Sequence, residues 1–289
     1  MQHLNLISKE DMQRAALLAR EFLTTQQNPL GLALIDHLVA DGPASDVVTA
    51  LAAYQNEDGG FGRGLEVDIA APASNPFATR LAMQVLLLLP AEARTPMLPS
   101  LQAWLEANQA PDGDWHLSAA TRSGDLAPWF AAWQHPALNP ACCVTGLANR
   151  LGIATTSMLE RTASLFSARA TIEQVAQGTF YDLLPYAEYL TAIQDIENRD
   201  AWLDTFAERI RAASSEIYAD AGHFWEQVLA LGGPIIERLP SELLASNATH
   251  LMDEQEADGS WPSPYSPAWQ PWITSMAIAT LYQLAPAAR

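Results

Sequence analysis

Cysteine is nearly absent from the chain, and the two it has, Cys142 and Cys143, are neighbours. A bridge between adjacent cysteines would be strained and no third thiol exists, so a disulfide framework is excluded. Positive charge is scarce as well: 15 Lys and Arg stand against 33 Asp and Glu, for a net charge of −18. Such an acidic surface repels phosphate, which argues against nucleic acid and anionic membranes as partners. Charged residues of either sign make up only 17% of the 289 positions and hydrophobic ones 49%, so a large apolar interior is expected. No apolar run is long enough to span a bilayer; the greasiest, "LAMQVLLLLP" from Leu81, stops at Pro90. The N-terminal "MQHLNLISKEDMQRAALLAREF" lacks a basic region followed by an apolar stretch, so no signal peptide is expected and a reducing cytoplasm fits best. Alternating β-branched runs bounded by turns, the mark of strands, are missing too.

What the chain does have is a pattern that recurs. "QNEDGGF" begins at Gln55, "QAPDGDW" at Gln109 and "QEADGSW" at Gln255, all of the form Q-x-x-D-G-x-(F/W). Each carries a leucine four positions upstream, at Leu51, Leu105 and Leu251. The first two copies lie 54 residues apart and the last two 146, close to three further periods of about 50. The physical reading is structural. A helix ends near the glutamine, and Asp58-Gly59, Asp112-Gly113 and Asp258-Gly259 each supply a tight turn, glycine being free to take positive φ. The aromatic can pack back over the turn, and the glutamine amide can pair backbone groups left open at a helix end. The aspartates are not calcium ligands, because the alternating oxygens and closing glutamate of an EF-hand do not follow.

Helical periodicity fills the remainder. Ser8 opens a capping box with Asp11, followed by Met12, Ala15, Leu18, Ala19 and Phe22 at helical spacing. One-sided amphipathic helices are expected near 43–57, 98–109, 155–170, 198–213 and 240–255. Between them lie helices with few charges, about 29–40, 76–89, 140–151, 179–194, 222–232 and 271–285. The alternation predicts one all-α domain over residues 1–289, an (α/α)6 toroid of six outer and six inner helices.

On these residues the chain resembles the terpenoid cyclases and protein prenyltransferase β subunits, whose QW-type repeat resembles the three Q-x-x-D-G-x-(F/W) copies. The resemblance implies an α/α barrel around an apolar cavity suited to an isoprenoid, and a small apolar or isoprenoid substrate. It does not extend to the catalytic motifs. The zinc site of the prenyltransferases needs an Asp two positions before a Cys, where "LNPACCVTG" has Pro140 or Ala141, and His135, His223 and His250 stand in no ligand spacing. No metal is therefore expected, and Mg²⁺ would enter only with a diphosphate substrate. The Asp-x-Asp-Asp acid of the cyclases is also absent, its nearest counterpart being "GLEVD" with Glu66 and Asp68.

Candidate chemistry gathers in the segments that enter the low-charge helices. Residues 62–75 hold Arg63, Glu66 and Asp68, and residues 110–138 hold Trp115, His116, Arg122, Trp129, Trp133 and His135. Later segments add Phe180, Tyr181 and Asp182, then His223, Trp225 and Glu226, then Tyr265, Trp269 and Trp272. Aromatic faces stabilise a carbocation, and a carboxylic acid kept neutral by desolvation can protonate an alkene or epoxide. Asp68 is the expected acid, with Glu66 as the partner that raises its pKa and Asp182 in reserve. Arg63, Arg80 and Arg122 would pair with a diphosphate or with these acids, and Trp129, Trp133, Tyr181, Trp225, Trp269 and Trp272 would wall the pocket. Arg80, on an otherwise greasy helix, must be paired or face a wet cavity, with Glu66 or Asp68 as its natural partner. The same trio reads equally as a structural ion-pair cluster. Two further functions fit the composition: a carbohydrate-active α/α-toroid enzyme, since tryptophans and paired carboxylates suit sugars, and a noncatalytic toroid that holds a lipid or peptide.

Overall fold

A computed structural model describes residues 3–287. Among the described residues there are seventeen α-helices, two short 3-10 turns and no β-strand. The twelve longer helices are α1 (Lys9–Thr25), α2 (Pro29–Val39), α3 (Ala44–Ala52), α4 (Pro76–Leu88), α5 (Leu98–Asn108), α6 (Leu138–Leu151), α7 (Thr156–Arg169), α8 (Phe180–Ala192), α9 (Arg199–Ile217), α10 (Ala221–Leu231), α11 (Ser241–Asp253) and α12 (Gln270–Leu284). Their limits follow local chemistry. Ser8 caps α1 by accepting the Asp11 N–H. Asn28 and Asn75 cap α2 and α4 in the same way, each followed by a proline whose missing N–H costs nothing in the first turn.

The low-charge helices form a continuous chain of contacts: α4 packs on α6, α6 on α8, α8 on α10, α10 on α12, and α12 on α2. Leu30, Leu34 and Leu38 of α2 share one apolar cluster with Ala78, Leu81 and Val85 of α4. The approach of α6 to α8 is close because Gly146 has no side chain; a Cβ there would stand 2.2 Å from the Glu188 carbonyl oxygen. The amphipathic helices pack on this set, α1 on α2 and α12, α3 on α2, α7 on α6, α9 on α8, and α11 on α10 and α12.

Each of the three repeated corners is stitched to an amphipathic helix elsewhere in the chain. The Gln55 amide donates to the Gly59 carbonyl at 2.9 Å and to Ser100 Oγ of α5 at 3.2 Å. Gln109 donates to Gly113 and to the Met158 carbonyl and Thr162 hydroxyl of α7. Gln255 donates to Gly259 and to the Ala15 carbonyl of α1. Asp58, Asp112 and Asp258 each accept the backbone N–H two residues on, closing the turn. The glycines take φ of +92°, +92° and +89°. Their bare α-carbons lie so near the next helix that an added Cβ would fall within 2.4 Å of a carbonyl oxygen of Ser100, Arg161 or Leu18. Phe61, Trp115 and Trp261 are buried behind the turns, and both indoles donate to carbonyls of the preceding helix, at Leu105 and Leu251.

Candidate active site

A cavity of about 940 Å³ opens among the low-charge helices, lined by residues of α4, α6, α8, α10 and α12 and of the segments that enter them. That is the size of a site for a drug-sized ligand. Its walls are largely aromatic and aliphatic. Phe77, Phe130 and Trp133 pack into one wall, the Phe77 ring tilted 4.5 Å from Phe130 and edge-on 4.9 Å from Trp133. Trp269 and Trp272 line it further on, and Trp129, Tyr181 and Tyr265 are the exposed aromatic rings at its rim.

The carboxyl groups of residues 62–75 are arranged otherwise than the sequence led us to expect. Glu66, not Asp68, is the desolvated acid. Its side chain is turned inward and only 6% of the residue is exposed. Burial pushes its pKa up to about 8; the Asp68 N–H it accepts at 3.2 Å and the more distant Arg80 charge offset this only in part. Asp68 is half-buried at the cavity edge and accepts the Trp269 indole N–H at 2.9 Å. The segment is held in place by pairing with residues 125–127, the Ala127 N–H donating to the Asp68 carbonyl and the Ala70 N–H to that of Asp125.

Arg80 does face the cavity, but its partners come from far along the chain. It bonds Glu226 of α10 at 2.6 Å and lies 3.7 Å from Glu188 of α8. Gln84 donates to both carboxylates, and Arg150 of α6 lies 3.7 Å from Glu188. Burial alone would raise Glu226; Arg80, His223 and Gln84 reverse this and hold it below the ordinary glutamate value. Glu66 and Asp68 are therefore not the lock for Arg80. Glu188, 1% exposed on an apolar helix, went unremarked in the sequence, although a lone acid there invites the same argument as Arg80.

A second polar group crosses the rim. Asp220 caps α10, its Oδ1 accepting the His223 N–H at 2.8 Å while Oδ2 meets His223 Nδ1 at 2.7 Å. His223 Nε2 lies 2.6 Å from Tyr265 Oη, and Tyr265 in turn bonds the Tyr181 hydroxyl. Burial disfavours a charged His223, but the bond and charge of Asp220 prevail and shift its pKa upward. Asp220 was missed in the sequence; the spacing Asp220-x-x-His223 ahead of an apolar run was the available signal.

Other expected residues lie elsewhere. Asp182 lines the cavity but is exposed and engaged as the N3 partner of Thr179, accepting both its N–H and its hydroxyl. Arg63 is exposed, bonds Asn56, and does not line the cavity, because the chain turns there at φ +53°. Arg122 is exposed and donates to the Trp133 carbonyl. Trp225 is fully buried in the apolar core behind the wall, since α10 turns Glu226 and His223, and not Trp225, toward the hollow.

Among the described residues, the grouping whose donors stand close enough for a metal is Asp114, His116 and His135. Within it His135 bonds Asp114 on one nitrogen and accepts the Leu117 N–H on the other, Asp114 also accepts from Trp115 and Ala137, and His116 Nε2 bonds Asp112. These bonds pin the 110–138 segment. Around the cavity seven carboxyl groups, of Glu66, Asp68, Asp182, Glu188, Asp220, Glu226 and Glu254, face two guanidinium groups, of Arg80 and Arg150. No helix among the described residues is long and apolar enough to cross a membrane. No protein-family model, no curated protein and no solved structure matches this chain.

Proposed function

We propose that the twelve longer helices form a closed (α/α)6 toroid, and that the protein is an isoprenoid-processing enzyme of terpenoid-cyclase type that starts its reaction by protonation. The observation that carries the reading is Glu66: a carboxyl buried beside an aromatic cavity, its pKa pushed by desolvation up to about 8. A neutral carboxylic acid in a dry pocket can give its proton to an alkene or epoxide, and the surrounding rings hold the cation that results. In the expected scheme Asp68 was the donor; here it steadies the Trp269 ring and the segment that presents Glu66.

The charge balance favours a neutral substrate in this reading. Both cavity arginines are engaged by carboxylates, so a diphosphate would meet net negative potential. A neutral olefin or epoxide fits without a metal, and Mg²⁺ stays tied to a diphosphate substrate. The polar wall of Gln84, Glu188 and Glu226 favours a second reading, a carbohydrate substrate, because it offers directional hydrogen bonds that a hydrocarbon cannot use.

Thermal shift separates the two. A ligand at a hundredfold its Kd stabilises by about 2.7 kcal/mol. Neutral C10–C30 isoprenoids should raise Tm while farnesyl-type diphosphates and oligosaccharides do not, and the stabilising compound should be turned over by the wild type and not by Glu66→Gln. Stabilisation by oligosaccharides alone would replace the isoprenoid reading, and saturable binding without turnover would leave a binding protein.

A further inference from the structure

Buried polar side-chain atoms without a hydrogen-bond partner are few in a native fold, and each calls for a reason. Among the described residues there are five, and four of them, Arg80 Nε, Trp133 Nε1, Asn139 Oδ1 and Glu188 Oε2, belong to residues that line the cavity. Glu188 is the most telling. It stands seven residues past Tyr181 of the rim, about 10 Å along α8, and only 1% of it is exposed. Its Oε1 accepts from Gln84 at a long 3.4 Å. Its Oε2, 3.7 Å from Arg150, accepts from no group. The other carboxyl groups are better supplied: Asp68 is met by Trp269, Asp182 by Thr179, Asp220 by His223, Glu226 by Arg80 and Glu254 by the Ala221 N–H.

The chemistry of the missing partner follows from these surroundings. A carboxylate oxygen only accepts, so the group that answers Glu188 Oε2 carries a proton to give. Arg80 and Arg150 balance the charges of Glu188 and Glu226. An ammonium or a phosphate would upset that balance in a buried place, whereas a hydroxyl adds no charge. Nearer the segments that enter the helices, Phe77, Phe130, Trp133 and Trp269 line the cavity and match an apolar body. We propose that Glu188 binds a ligand hydroxyl, and that the cavity's ligand is an amphipathic isoprenoid alcohol. The inference rests on the isoprenoid reading of the cavity given above and names the polar end of its ligand; it does not require that a reaction follow. The hydroxyl donates to Glu188 Oε2. Gln84, whose bonds to Glu188 and Glu226 are 3.4 and 3.2 Å, turns to donate to the hydroxyl oxygen. A pure hydrocarbon leaves Oε2 unpaired.

The test is equilibrium binding, followed by quenching of tryptophan fluorescence. The ligands are a C15 prenyl alcohol, its methyl ether, the parent hydrocarbon and the corresponding primary amine, together with n-dodecanol and its methyl ether. In the wild type each alcohol should bind about 10–100-fold tighter than its ether. In Glu188→Met, which keeps the length of the side chain and removes the acceptor, that preference should shrink to about threefold or less. Arg80 keeps Glu226 in this variant, and Arg150 keeps the Thr191 hydroxyl and the Ala230 carbonyl, so neither cation is stranded. Should the variant not fold, the wild-type ratio decides alone. Prenyl alcohol and ether bound alike, a preference that survives Glu188→Met, or an amine bound more tightly than the alcohol each overturns the subsite and leaves the isoprenoid reading standing. Binding and an alcohol preference confined to the dodecyl pair uphold the subsite and remove the isoprenoid reading. No binding by any member of the set overturns both.

Discussion

Glu66 and Asp68 stand two positions apart, yet the fold puts one carboxyl in an apolar wall and the other against an indole N–H at the edge. The difference has a measurable consequence in stability. Below the unfolded carboxyl value of 4.5 both states hold the Glu66 proton; as pH rises the unfolded chain releases it first, while the folded group keeps it to about 8. The folded state binds the extra proton, so stability falls across that window, at about 1.4 kcal/mol per pH unit for this group. Glu66→Gln should therefore gain on the wild type by a few kcal/mol between pH 5 and pH 8, read from urea unfolding at each pH. A constant difference between the two proteins would mean that Glu66 is not desolvated. Residue pairing of this kind was poorly legible in the sequence. That Arg80 needed a partner followed from burying a charge on a greasy helix; that the partner is Glu226, 146 positions away, did not.

At the scale of elements the sequence was far more informative. The helices expected at 98–109, 155–170 and 271–285 are found at Leu98–Asn108, Thr156–Arg169 and Gln270–Leu284. Caps, glycines and periodic apolar positions act within a turn or two, so their meaning survives without knowledge of the rest of the chain. The corners illustrate both the reach and the limit of such reading. Asp-Gly predicted the turn, whereas the second contact of each glutamine, on a helix distant in sequence, is a tertiary matter. Gln109 makes three buried bonds that water cannot replace. Gln109→Ala should cost about 1–3 kcal/mol in a urea melt, the desolvation penalty of the groups left unpaired. Gly113→Ala should cost more, because it adds about 1–2 kcal/mol of positive-φ strain to a clash with the Arg161 carbonyl 2.4 Å away. Equal or smaller losses would show that the corner is not held by these contacts.

For the whole molecule, the first and last described segments are brought together. The Leu4 and Leu6 N–H groups donate to the carbonyls of Gln283 and Leu284, and the Gln255 corner bonds Ala15. Neighbouring ends make circular permutation tolerable when the new break falls in an exposed turn. A chain joined through a short Gly/Ser linker and opened between Gln194 and Asp195, both exposed, should unfold cooperatively with Tm within about 4 °C of the parent, equivalent to ~1 kcal/mol. Loss of cooperativity would argue against a closed ring of helices.

By itself the sequence determined that this chain is helical, where most helices begin and end, and where its tight corners lie, because these depend on interactions among residues a few positions apart. Only the tertiary structure decided which carboxyl is desolvated, which acids answer Arg80, that Trp225 belongs to the core, and that Asp220, His223, Tyr265 and Tyr181 form one chain. Desolvation and long-range pairing depend on what surrounds a group in three dimensions, and a list of neighbours along the chain does not contain that.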